Sequence, residues 1–249
     1  MTKPEVRRFA GVEELSRAAG AEFVRAARDA IAARGRFVVA LAGGSTPRRL
    51  YQLLAEEPWR GQVDWPRVEF FWGDERTVPP DHPDSNYRMA REALLQKLTL
   101  GPAQVHRLEA ERTDLEAAAR DYQEAIALVC KVPPTGSPPA FDLILLGLGP
   151  DGHTASLFPY TEALQEDVRW VVPNEVPQLK TQRMTLTKII LNQAAEIHFQ
   201  VAGANKAQAL AEVLEGPADP ERLPAQLIQP TSGRLLWFVD QAAAAGLRS

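Results

Sequence analysis

The sequence predicts a doubly wound α/β fold, built on one mainly parallel sheet with helices on both faces. Short apolar runs rich in β-branched and aromatic residues alternate with longer stretches that have helical spacing. Most of the short runs are apolar at consecutive positions, which is typical of strands covered on both sides. The predicted strands are 36–41, 68–72, 141–146, 168–172, 197–202 and 235–239.

The intervening helices follow from apolar spacing and from residues that begin or end helices. The first, 12–33, places Leu15, Ala19 and Phe23 on one face and stops before Gly35. Another begins after the first strand, with Thr46 as the predicted N-cap and Pro47 in its first turn. Two more are predicted over 114–132 and 206–214.

Composition limits the classes of function. The chain has 249 residues, 45% of them hydrophobic and 24% charged, as in a globular domain. A formal net charge of −4 gives no basic field for nucleic acid or an anionic membrane. We expect residues 1–249 to form a single domain, because strand–helix alternation resumes directly after the Pro-rich loop 133–139. The sequence gives no oligomeric state.

Other features bear on compartment and cofactors. The single cysteine, Cys130, excludes an internal disulfide framework and a multi-cysteine zinc site. No window approaches the ~20 apolar residues that span a bilayer. Residues 1–8 have no apolar run of a secretory signal behind them, so we expect a cytoplasmic protein.

Four polar loops follow predicted strands, and parallel sheets bind ligands at the carboxyl ends of their strands. In the first loop, Gly43 and Gly44 allow close approach of a ligand, and Ser45 and Thr46 begin a helix whose dipole favours an anion. A tight turn with a capped helix explains the same residues, and this segment alone does not decide between the two. It lacks the Gly-Lys-Ser/Thr ending that a nucleotide triphosphate site requires.

Charged residues in three other segments are candidates for binding an anion. Arg76 ends the second loop and could bind a phosphate or carboxylate, held by Asp74. Lys206 lies in the first turn of a predicted helix, where the dipole disfavours a cation unless an anion faces it. Arg183, which enters the apolar segment 184–187, is a weaker candidate for the same anion.

The third loop contains a G-x-G-x-x-G pattern at 147–152, which a dinucleotide site would follow with a long helix. Pro159 cuts the following helix short, and Asp151 would place a carboxylate where the pyrophosphate belongs. What remains is His153 beside Asp151 at the end of a strand. Histidine suits proton transfer near neutral pH, so His153 is the candidate base.

A metal site is the alternative for the same edge of the sheet. Four side chains could converge there: Asp74, Glu75, Asp151 and His153. One histidine among carboxylates, with no recognisable supporting pattern, is a weak ligand set. We therefore predict that no metal is bound.

Several segments, taken together and in order, resemble the glucosamine-6-phosphate isomerase/6-phosphogluconolactonase family. The segments are 41–47, 72–76, 147–159, 183–187, Gly203 with Lys206, 223–225 and 237–240. The resemblance is to the lactonase branch and covers nearly the whole chain. It implies a Rossmann-like fold, no cofactor, a phosphorylated sugar lactone as substrate and a place in the oxidative pentose phosphate pathway.

The isomerase branch is the main alternative, and two positions argue against it. The family resemblance implies that isomerases have a glutamate, which assists ring opening, at the position of Phe158 in this chain. It implies a tyrosine in them at the position of Arg76. A sugar-phosphate-binding regulator is a second alternative, which His153 disfavours. For the lactonase, we expect Asp151 or a backbone carbonyl to orient His153, and Arg76 or loop N–H groups to stabilise the oxyanion. Ser45, Thr46, Lys206 and Arg183 would bind phosphate.

Overall fold

The computed structural model describes residues 4–248 and contains a six-stranded parallel sheet and a three-stranded antiparallel sheet. In chain order the elements are β1 (Glu5–Phe9), α1 (Val12–Arg34), β2 (Phe37–Leu41), α2 (Ser45–Leu54), β3 (Val68–Trp72), β4 (Asp74–Arg76), α3 (Asn86–Ala93), α4 (Leu115–Cys130), β5 (Leu143–Leu146), β6 (Val171–Val176), β7 (Thr181–Leu186), α5 (Lys188–Leu191), β8 (Glu196–Val201), α6 (Ala207–Glu215) and β9 (Arg234–Asp240). Short 3₁₀ turns connect several of them. Within residues 4–248, no helix combines the length and apolar character needed to cross a bilayer.

The six-stranded sheet has the order β1-β9-β8-β5-β2-β3, and all of its neighbouring strands are parallel. From β2 the chain moves outward to β3, then returns to place β5 on the other side of β2. The strand order therefore reverses between β2 and β5, which is where such sheets open a crevice for a ligand. The prediction of a doubly wound parallel sheet is confirmed.

The central strands β2 and β5 are buried on both faces, which explains why they are apolar at consecutive positions. In β2, Val38 and Ala40 pack into one core, while Phe37, Val39 and Leu41 pack into the other. Helices α1, α2 and α3 contribute to the second core, and α4 and α6 to the first. The predicted buried face of α1, with Leu15, Ala19 and Phe23, lies in the second core.

The second sheet, with the order β4-β7-β6, was not predicted. The prediction that 168–172 is a strand of the main sheet is wrong, because the strand is β6, displaced to Val171–Val176 and paired antiparallel with β7. A 3₁₀ turn at Pro177–Leu179, followed by Lys180 in the left-handed region, joins β6 to β7 as a hairpin. Val171 and Met184 from this hairpin pack into the same core as α4.

Three local predictions at the loops are also wrong. The N-cap of α2 is Gly44, whose φ of 100° is a glycine conformation, and Thr46 is the second residue of the helix. The segment after His153 is a turn in which Thr154 and Leu157 form an isolated bridge, with no helix. Lys206 ends a 3₁₀ turn, Ala204–Lys206, immediately before α6. The strand β1 and the helix α3 were not predicted at all.

Candidate active site

A cavity of about 230 Å³ opens at the carboxyl edge of the main sheet, beside the reversal between β2 and β5. Six of the ten predicted site residues line it: Gly43, Gly44, Asp74, Arg76, His153 and Lys206. Asp151 is bonded to His153 at its edge. Ser45 lines an adjoining cavity of about 380 Å³ that shares Gly44 and Arg76. Thr46 and Arg183 line neither cavity.

His153 and Asp151 form a hydrogen-bonded pair. Nδ1 of His153 lies 2.5 Å from Oδ1 of Asp151, and the His153 main-chain N–H donates to the same oxygen at 3.2 Å. Burial of the Asp151 carboxyl works to raise its pKa, but the bonds from His153 outweigh it and the pKa is lowered. A Cβ at position 149 would lie 2.1 Å from His153 Nδ1, so only glycine leaves room for the pair. The hydrogen bond at Nδ1 therefore fixes the orientation of the His153 imidazole.

Phe158 covers one face of the His153 ring. The two rings stack with centroids 4.0 Å apart and an interplanar angle of 24°. The position at which the resemblance implies a glutamate in the isomerases is thus in direct contact with the histidine. In this chain the contact is apolar and offers no second carboxyl group.

Asp74 is bonded to two residues that the sequence analysis did not select. Its Oδ2 accepts from Ser156 Oγ at 2.6 Å, and its Oδ1 accepts from Asn86 Nδ2 at 3.2 Å. The expectation that Asp74 holds Arg76 is wrong, because Arg76 Nη1 donates instead to the main-chain oxygen of Asp84 at 2.7 Å. Asp74 is fixed from α3 and from the loop after β5.

Glu75 has a structural role at the start of α3. Its carboxylate accepts three backbone N–H bonds at 2.8 Å, from Arg76, Asn86 and Tyr87. It thereby caps the start of α3, where Ser85 is the N-cap residue and also donates to Glu75 at 3.1 Å. Burial raises the pKa of Glu75 against the opposing effect of these backbone bonds. Within residues 4–248, no group of three or more His, Cys, Asp or Glu side chains could hold a metal ion.

Arg76 and Arg183 lie opposite each other on β4 and β7. Burial, followed by the positive charge of Arg76, lowers the pKa of Arg183. Arg183 makes no ion pair with any of the residues 4–248, and Arg76 Nε is buried with no acceptor among them. Two neighbouring guanidinium groups with so little compensation favour an anion nearby.

Lys206 also lines the cavity. Burial lowers the pKa of Lys206, and the charge of Asp151 partly offsets that effect. No carboxylate in the described part of the chain lies within ion-pair distance of its ammonium group. Lys206 and the N-terminus of α2, which begins at Ser45 after Gly44, both favour negative charge at the cavity.

The family model described as glucosamine-6-phosphate isomerases/6-phosphogluconolactonase matches residues 11–237. The chain belongs to this family. A 6-phosphogluconolactonase of Synechocystis sp. is 46% identical over 220 residues, which cover 88% of each chain, and one of Nostoc sp. is 42% identical, with 88% coverage of each. The solved 6-phosphogluconolactonase from Trypanosoma cruzi superposes with a TM-score of 0.87 at 30% identity, covering 99% of this chain and 98% of that one.

The predicted resemblance to the lactonase branch of the glucosamine-6-phosphate isomerase/6-phosphogluconolactonase family is confirmed by these relatives. A solved monomeric glucosamine-6-phosphate deaminase shares the fold, with a TM-score of 0.80 at 22% identity over 97% of this chain. Neither Asn86, which lines the cavity, nor the contact of Ser156 with Asp74 was predicted from the sequence. Ser85, followed by Met89, Ala90 and Ala93 at helical spacing, is the signal from which α3 and Asn86 could have been found.

Proposed function

We propose that this chain hydrolyses 6-phospho-D-glucono-1,5-lactone to 6-phosphogluconate in the oxidative pentose phosphate pathway. The observation that carries the proposal is the bonded His153–Asp151 pair at a cavity lined also by Arg76 and Lys206. The cyanobacterial and trypanosomal relatives, which match 88% or more of this chain, are named 6-phosphogluconolactonases. These names support an enzyme over a sugar-phosphate-binding regulator.

His153 is the general base of the proposed reaction. With the Nδ1 proton donated to Asp151, Nε2 is the acceptor nitrogen, and the side chain is 26% exposed, so water can reach it. Nε2 takes a proton from water as the water oxygen bonds to the lactone carbonyl carbon. The bond from that carbon to the ring oxygen then breaks, and His153 returns the proton to the departing oxygen.

Different cationic groups of the site would bind the two negative charges of the reaction, the substrate phosphate and the oxyanion. Ser45 and Thr46 at the start of α2 would bind the phosphate, with Lys206 and Arg183 supplying positive charge. Arg76 would stabilise the oxyanion of the tetrahedral intermediate. Each charged hydrogen bond to the phosphate contributes roughly 1.5–3 kcal/mol. No cofactor takes part in this scheme, and the cytoplasm remains the expected compartment.

Phe158 favours the lactonase over the isomerase. An aldose–ketose isomerase needs an acid that opens the sugar ring and a base that moves a proton between adjacent carbons. In this chain the residue stacked on His153 is apolar. A lactonase needs only an activated water and a site for the developing negative charge, which the described groups provide.

Turnover of fresh 6-phosphogluconolactone, corrected for its spontaneous hydrolysis, tests the proposal directly. We expect rapid consumption of the lactone and no ammonia from glucosamine 6-phosphate. Steady release of ammonia would overturn the assignment, as would lactone hydrolysis no faster than in buffer.

A further inference from the structure

We propose that the Asp74 carboxylate accepts a hydrogen bond from a ring hydroxyl of the substrate. Ser156 and Asn86 are positioning residues that orient Asp74 for this contact. The inference rests on the proposed function and concerns how the same cavity selects a polyhydroxylated lactone. Asp74 is 7% exposed and lines the cavity, whereas Ser156 and Asn86 are 1% and 2% exposed.

The contacts of Asp74 suit a hydrogen-bond acceptor. Ser156 Oγ donates to Oδ2, and Asn86 Nδ2 donates to Oδ1 and, at 2.9 Å, to the Asp74 main-chain oxygen. A carboxylate has about four lone-pair sites, so two bonds leave acceptor capacity for a ligand. A sugar hydroxyl that enters the cavity would donate to one of the remaining sites.

Ser156 is held rigidly enough to position a partner. Besides donating to Asp74, its main-chain N–H donates to Thr185 Oγ1 at 3.2 Å, and its main-chain oxygen accepts from Asn174 Nδ2 at 2.8 Å. The preceding residue, Ala155, has a φ of 47°, which is uncommon for a residue other than glycine. Such a conformation persists where the surrounding contacts determine it, and here those contacts come from β6 and β7.

Asn86 connects Asp74 to the glycine loop. A Cβ at position 43 would lie 1.8 Å from Asn86 Oδ1, so the Asn86 side chain occupies the space beside Gly43. The Asn86 main-chain N–H is bonded to Glu75 at 2.8 Å, which fixes the residue at the start of α3. Asp74, Ser156 and Asn86 thus join β4, the loop after β5 and the start of α3 in one hydrogen-bonded group.

The decisive comparison uses the phosphorylated lactone and its 2-deoxy, 3-deoxy and 4-deoxy analogues. Asp74→Asn should lose tenfold or more in kcat/KM on the parent lactone but much less on the analogue that lacks the contacted hydroxyl. Ser156→Ala should show the same pattern with a smaller loss. Because Ser156 acts through Asp74, the double variant should be no worse than Asp74→Asn alone.

Thr187→Val is the matched control, since it removes a buried hydroxyl that bonds to Arg169 and makes no contact with Asp74. Its ratio of rates on the parent and deoxy lactones should equal that of wild type. The acidic limb of the kcat/KM profile should stay in place in Ser156→Ala, because Asp74 is not the base. If Asp74→Asn does not fold, Ser156→Ala carries the test alone.

Equal losses on the parent lactone and all three deoxy analogues, or multiplicative losses in the double variant, would overturn the inference. A shifted acidic limb in Ser156→Ala would also do so, by assigning proton transfer to Asp74. These outcomes differ from failure of the proposed function, in which the wild-type protein hydrolyses none of the lactones above the spontaneous rate.

Discussion

The imidazole of His153 is fixed by Asp151 at Nδ1 and by Phe158 against one ring face. Asparagine in its place keeps the approximate size and a hydrogen-bond donor but takes up no proton near neutral pH. His153→Asn should therefore lower kcat by about 10²–10⁴, the usual contribution of general-base catalysis. Affinity for 6-phosphogluconate and the unfolding midpoint should stay near wild type.

The pH profile provides a second measure of the same role. The wild-type rate should fall on acidification, as the base becomes protonated, and the residual rate of His153→Asn should lack that limb. Both rates require correction for the pH-dependent hydrolysis of the lactone itself. A variant with most of its turnover intact would show that His153 only packs or positions, and would direct attention to Asp151 and Asp74.

Lys206 gives a separate prediction at the phosphate. Lys206→Ala should weaken binding of 6-phosphogluconate by about 1.5–3 kcal/mol, or roughly ten- to a hundredfold, because a charged hydrogen bond is lost. Binding is measured by calorimetry, with the exposed Lys97→Ala as control. Because burial lowers the pKa of Lys206, its charge is lost at a lower pH than that of an exposed lysine. Wild-type affinity should thus decline as pH rises, and the variant should lack this decline.

Two results would contradict the assignment of Lys206. One is normal affinity of Lys206→Ala for the phosphorylated product, which would place the phosphate elsewhere in the cavity. The other is an equal loss on unphosphorylated gluconolactone, which should be hydrolysed about equally by both proteins if the lost contact is to the phosphate.

At the scale of elements, most strands of the main sheet and the longer helices could be predicted because the spacing of apolar residues along the sequence indicates which positions are buried. Continuous apolar runs indicated β2 and β5, a largely apolar run indicated β3, and an apolar stripe indicated α1. The edge strand β1 carries two arginines in five residues and is only partly buried, so it has no such pattern. The hairpin β6–β7 depends on pairing between distant segments, and β4 has three charged residues whose strand conformation comes from β7.

The site residues that could be predicted are those that directly follow a predicted strand. Gly43, His153 and Lys206 follow predicted strands, so their common edge was foreseeable. Asn86 reaches the cavity from α3, a helix of eight residues whose position depends on the capping of its N-terminus by Glu75. The sequence alone does not place that helix beside Asp74.

Glu75 therefore gives a prediction for an element. Glu75→Gln replaces one acceptor oxygen by an NH₂ group that faces N–H and O–H donors. Leaving such a buried donor without a partner costs about 1–3 kcal/mol, so the free energy of unfolding should fall by that amount in a denaturant titration. The exposed helical variant Glu124→Gln is the control. An unchanged midpoint for Glu75→Gln would show that α3 is anchored by other contacts.

In the whole molecule, one reversal of strand order explains why motifs far apart in sequence meet. The loops after β2, β3, β5 and β8 all leave the same edge of the sheet, and each contributes a residue to the cavity. Both cores share the strands of this sheet, which supports the prediction that residues 1–249 form one domain. The small sheet adds Arg76 and, through Thr185, supports Ser156.

The last prediction concerns the metal alternative and follows from how the carboxylates at this edge are engaged. Glu75 accepts backbone N–H groups, Asp74 accepts from Ser156 and Asn86, and Asp151 is bonded to His153. Recruiting three of these groups to one ion would break the contacts that fix α3 and the base. We therefore expect exhaustive dialysis against a strong chelator to leave the rate of lactone hydrolysis and the unfolding midpoint unchanged. A mock-dialysed sample is the control, and a loss of rate that a divalent cation restores would require a mechanism in which the metal, rather than His153 alone, activates water.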